Sequence, residues 1–126
     1  MGSIRIAVPS DGDNFDVANV DEHFGRAPYY LLINIESGRV KHVESIRNPA
    51  IEHSPGTIPE LLKKYGVNVV ICMGMGRRAR MFFEEFGIQI ITGARGRIAE
   101  IINQFIEGKL ESVPYTPQDK WREKIR

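Results

Sequence analysis

Two short runs, apolar but for one residue each, constrain this chain more than anything else in it. Val67–Cys72 and Ile88–Ile91 are each followed by a glycine- and arginine-rich segment and then by an amphipathic stretch. A nearly continuous apolar run flanked by helical patterns reads as a parallel strand buried on both faces, which requires helices on both sides of the sheet. Ahead of these units stand three strand-like segments. Ile4–Val8 stops at Pro9-Ser10-Asp11-Gly12, and Pro28–Glu36 and Arg39–Ile46 flank Ser37-Gly38 as a two-residue hairpin. Three helices follow from apolar spacing. The first is Ile58, Leu61, Leu62 and Tyr65, closed by Gly66. The second is Ala79, Phe82, Phe83 and Phe86, closed by Gly87, and the third is Ile98, Ile101, Ile102, Phe105 and Ile106, closed by Gly108. Thr57-Ile58-Pro59-Glu60 reads as a capping box at the start of the first. The expected order is β-β-β-α-β-α-β-α, a single α/β domain with a mixed five-stranded sheet and flanking helices over residues 1–110. The tail, 111–126, is expected to be loosely docked or mobile.

The rest of the composition narrows the class. The 126 residues suffice for one core without staples. A net charge of +1 leaves no excess of basic side chains for nucleic acid or a membrane surface. One cysteine excludes an internal disulfide. The absence of an apolar run of membrane-spanning length and of a signal-peptide pattern makes the cytoplasm the expected location.

With the first strand taken as pointing up, right-handed crossovers bring five loops to one edge of the sheet. They are Pro9–Gly12, His23–Arg26, His53–Thr57, Cys72–Arg78 and Thr92–Arg97. Open α/β sheets bind ligands outside the carboxyl ends of their strands. His23, in Asp21-Glu22-His23-Phe24-Gly25-Arg26, reads as a metal ligand or as a loop histidine bonded to a neighbour. Cys72 ends a buried run and is either a small core hydrophobe or a soft donor. Met73 and Met75 have the same two readings, and His53 is a second imidazole or a turn residue. No zinc spacing is present. Gly74, Gly76, Arg77 and Arg78, and likewise Gly93, Arg95, Gly96 and Arg97, precede helices and suit an anion, although the spacing is not a nucleotide fingerprint. Asp11, Asp13, Asp16, Asp21 and Glu22 cluster early without forming a recognisable catalytic set.

Ile6–Gly12, Val20–Ala27, Gly74-Met75-Gly76-x-x-Ala79 and Thr92-Gly93-Ala94 together resemble the dinitrogenase iron–molybdenum cofactor biosynthesis family over about residues 4–110. Its small domains are similar to the carriers of nitrogenase cofactor assembly and to the C-terminal domain of the cofactor-precursor synthase. The resemblance implies a ribonuclease-H-like fold. It also implies a non-enzymatic carrier of an iron–sulfur cluster or iron–molybdenum cofactor precursor that meets donor and acceptor proteins. His23 matches the family's His-Phe-Gly histidine, the expected metal ligand, and Cys72 is a second candidate. Gly74, Met75 and Gly76 match the loop bordering the pocket, with Arg26, Arg77 and Arg95 offsetting cluster charge. Where family members often carry Pro after Gly-Met-Gly, this chain has Arg77-Arg78. The rival expectation is a nucleotide or phosphometabolite bound at the Gly74–Gly76 and Gly93–Gly96 loops.

Overall fold

The computed structural model describes residues 2–49 and 56–113. The elements follow the expected order: β1 (Ser3–Ser10), β2 (Tyr29–Glu36), β3 (Arg39–Arg47), α1 (Thr57–Lys64), β4 (Val69–Ile71), α2 (Arg77–Glu85), β5 (Gln89–Ile91) and α3 (Ile98–Ile106). The sheet order is β3-β2-β1-β4-β5. β1–β2 and β2–β3 pair antiparallel, whereas β1–β4 and β4–β5 pair parallel. Ser37 and Gly38 both have positive φ, 52° and 73°, the turn whose twist matches that of the flanking strands.

Alternation along the central strands builds two cores. Ile6 and Val8, with Val69 and Ile71, face Ile98, Ile101 and Ile102 of α3 and the loop residues Ala18 and Val20. Ala7, Val70 and Cys72 face the other way, toward Ile58 and Leu62 of α1 and Phe83 of α2. Each fully buried branched side chain contributes about 1.5–3 kcal/mol relative to exposure, and both faces of β1 and β4 are supplied in this way. The sheet is thus the middle of three layers.

Two local expectations are corrected. The first helix begins at Thr57 with Gly56 as its N-cap, so Thr57 occupies the first helical position and no capping box forms. The Val67–Cys72 run is strand only at Val69–Ile71. Val67 is used to close α1, its N–H donating to Leu62 O at 3.2 Å.

At the amino-terminal pole of β1, away from the loop edge, Arg5 is the organising residue. Its guanidinium donates to Asn34 Oδ1 at 2.9 Å, to the Tyr65 carbonyl and to Glu44. Its backbone N–H meets Asn68 Oδ1 at 2.8 Å. These contacts tie β1 to β2, β3 and the end of α1.

Candidate functional site

The ends of β1, β4 and β5 and the start of β2 converge on one edge, because Ser10 pairs with Tyr29 and β4 and β5 run parallel to β1. Four of the five expected loops are described there. The segment holding His53 lies outside the described residues.

The β1–β2 loop is closed by its own side chains. Asp11 Oδ1 accepts the Asn19 N–H at 2.9 Å, and Ser10 Oγ donates to Gly12 O at 2.6 Å. Asp11 therefore acts as a loop brace. The chain then crosses the end of the sheet. Val20 packs in the α3-side core, its N–H donating to Gly96 O at 2.9 Å, and four residues later Phe24 packs in the α2-side core. His23 lies in that crossing. Its N–H donates to Asp21 Oδ1 at 2.8 Å, its ring Nε2 is 3.6 Å from a Glu22 carboxylate oxygen, and its side chain is 60% exposed. The imidazole is therefore open to a ligand while its backbone is fixed.

Phe24 is what fixes it. Its ring meets Tyr30 edge-on at 5.8 Å and Phe83 of α2 at 5.5 Å between centroids. Tyr30 donates its hydroxyl to Phe24 O at 2.6 Å. Burial, with Asp21 nearby, pushes the Tyr30 phenol well above its ordinary value, so it stays a donor. The Asn48 amide holds Gly25 O at 3.1 Å and Ala27 O at 2.9 Å. Phe83 is six residues from the start of α2, about 9 Å along the axis. The contact therefore ties the His23 loop to the second half of α2, and both this loop and Gly74–Arg78 belong to the edge at which β1 and β4 end.

The start of α2 runs against local preference. Gly76 is an extended N-cap without a side-chain cap, and the first turn holds no acidic residue. Arg77 and Arg78 take its first two positions, where the helix dipole already presents positive charge, and each misplaced charge costs a few tenths of a kcal/mol or more. Both are exposed, as are Arg26, Arg95 and Arg97. Among the described residues, the ion pairs are Arg5–Glu44, His23–Glu22 and Lys109–Glu107, so none takes up these five arginines. Gly74 is buried and Met75 and Gly76 lie progressively nearer solvent. Met75 packs toward the α2-side core and Met73 toward the other.

Cys72 stands apart from this rim. It is 0% exposed, packed in the α2-side core, and burial pushes its thiol up to about 12, with Arg80 drawing it slightly back. As packed it is a protonated core side chain without a path to a ligand. Among the described residues no three His, Cys, Asp or Glu side chains come together as a metal-holding group. No helix among them is long and apolar enough to cross a membrane.

Sequence reasoning missed three parts of this edge: the Phe24 anchor, the Asn48 staple and the return of the chain at Ser112–Val113. Thr92 N–H donates to Ser112 Oγ at 3.0 Å, and Val113 N–H donates to Thr92 O at 2.8 Å. His-Phe-Gly carried a signal for the loop but none for where the ring docks. The Ser112–Val113 contact has no local signature.

Comparison with known proteins bears on the family and the fold. The model of a family described as dinitrogenase iron–molybdenum cofactor matches residues 2–108. An uncharacterised protein of Methanocaldococcus jannaschii is 34% identical over 111 residues, covering 86% of this chain and 90% of its own. The crystal structure of PH0822 superposes with a TM-score of 0.79 at 40% identity, covering 86% of this chain and 94% of that one. An NMR structure of a provisionally assigned NifB protein from Thermotoga superposes with a TM-score of 0.69 at 30% identity, covering 91% and 98%.

Proposed function

Because the chain belongs to the dinitrogenase iron–molybdenum cofactor family, we propose that it is a cytoplasmic carrier, without catalysis of its own, for an anionic metal cluster. The cargo class is an iron–sulfur cluster or an iron–molybdenum cofactor precursor, received from one protein and passed to another. The observation that carries the reading is the start of α2. An uncapped helix N-terminus with Arg77 and Arg78 in its first turn adds positive charge to positive dipole, an arrangement stabilised when an anion sits there. Supporting it, Phe24, next in sequence to the exposed His23, packs on Phe83 of the same helix.

In this reading His23 supplies one metal ligand. The amides around Gly74, Met75 and Gly76 line the cargo, and Arg26, Arg77 and Arg95 offset its charge. Cys72 takes no part, since its buried, protonated thiol is packed against apolar neighbours. One protein ligand and a ring of charge suit a cargo that must leave as readily as it arrives.

Anaerobic titration with an iron–sulfur cluster assembled from ferrous iron and sulfide tests this reading. His23→Ala is expected to weaken binding and change the cluster spectrum, and Arg77→Ala with Arg78→Ala to weaken it with the spectrum kept. Equal affinity and an unchanged spectrum in His23→Ala would remove the imidazole from the site. The same helix start also suits a phosphate. Thermal stabilisation by a nucleotide, with none by the cluster, would favour a nucleotide or phosphometabolite instead.

A further inference from the structure

Thr92 and Ser10 are the two buried polar residues among those described. The peptide group joining Thr92 to Gly93 is held from both sides. Its C=O accepts the Val113 N–H at 2.8 Å, and its N–H donates to Met73 O at 2.8 Å. Both bonds belong to one rigid plane, so a rotation of that plane breaks both. The Thr92 side chain completes the clasp, with Oγ1 donating to Val113 O at 2.6 Å. Gly93 has φ +89°, and a Cβ there would stand 2.8 Å from Val113 Cβ, so the close approach requires glycine.

Each end of this clasp adjoins a glycine–arginine loop. Met73 immediately precedes Gly74-Met75-Gly76, and Gly93 opens the loop carrying Arg95. The α3 helix leads the chain away from the loop edge, and the five residues Lys109–Val113 bring it back, an extended reach of about 16 Å. We infer that Thr92 is a positioning residue for the cargo site, through which the C-terminal segment at Ser112–Val113 sets the shape of both glycine–arginine loops. The inference rests on the reading of this edge as the cargo site. When Ser112–Val113 lets go, the Thr92–Gly93 plane keeps only its bond to Met73 O, with Ala94 N–H still on Cys72 O at 3.1 Å, and a turn at Gly93 then releases Met73 and loosens the Gly74–Gly76 loop that follows it. By linkage, cargo and clasp each strengthen the other.

The test uses the full chain and the cluster assembled from ferrous iron and sulfide. Thr92→Val deletes the hydroxyl donor, Val113→Pro deletes the backbone donor, and Thr92→Ser keeps the clasp. Thr92→Val and Val113→Pro are each expected to weaken cluster binding about three- to tenfold, the share of one hydrogen bond, and to speed amide exchange at Gly93. Thr92→Ser should behave as wild type in both. A lower unfolding midpoint with unchanged affinity in the two disrupting variants would overturn the inference and leave the carrier reading standing. Failure of the wild-type chain itself to take up cluster would overturn both.

Discussion

Replacing Phe24 tests how His23 is held. Its side chain is 6% exposed and touches two aromatic rings, Tyr30 at 5.8 Å and Phe83 at 5.5 Å. Truncating such a residue to alanine costs about 3–5 kcal/mol, through lost transfer energy and the cavity left behind. For a domain of this size that lowers the unfolding midpoint by roughly 10–20 °C. Phe24→Leu keeps most of the apolar volume but loses both edge-on ring contacts, each worth about 0.5–1.5 kcal/mol, and so costs about 1–3 kcal/mol. Urea unfolding followed by circular dichroism reads both variants. The Leu variant is expected to stay folded, so its cluster titration separates position from stability, and it should bind more weakly than wild type. Stability within about 0.5 kcal/mol of wild type for both variants would refute the claim that this ring anchors the His23 loop to α2.

The same packing has other consequences. The Cys72 thiol, raised to about 12 by burial, should resist alkylating reagents at pH 8 in the folded protein and react fully in denaturant; rapid labelling of the native chain would contradict its placement. Since that folded value lies above the unfolded one, its contribution to stability is complete below about pH 9 and is lost as the pH rises toward 12, which Cys72→Ala should abolish in pH-dependent unfolding curves. Arg5→Met should cost about 2 kcal/mol in denaturant unfolding, because Asn34, Glu44 and the Tyr65 carbonyl all lose a charged donor; a neutral result would mean the cluster at that pole does not hold β1. Gly93→Ala should lower the unfolding midpoint more than Gly12→Ala, since only the former combines positive φ with a Cβ clash against Val113; equal midpoints would count against the clasp.

The sequence made the layers legible because burial imposes periodicity. The spacing at Ile98, Ile101, Ile102, Phe105 and Ile106 marked α3, observed at Ile98–Ile106, and Ser37-Gly38 marked the hairpin turn. The edge on which the loops gather followed from crossover handedness. Which face Cys72 takes was not legible. Val69–Met73 is a run of apolar side chains on a strand buried on both faces, and such a run has no alternation to read. The capping box failed for a related reason: a cap is a backbone conformation, and Thr57 and Gly56 compete for it one residue apart. The Phe24 anchor and the Thr92–Val113 clasp join residues 59 and 21 positions apart, and such pairings are decided by tertiary packing.

The central claim is that this edge grips an anionic metal cluster, and the most direct measurement is the visible spectrum with iron and sulfide content of the full chain purified without oxygen. The account predicts charge-transfer absorption with iron and acid-labile sulfide bound, restored by anaerobic reconstitution when lost. A colourless protein that stays free of iron and sulfide after reconstitution would contradict it.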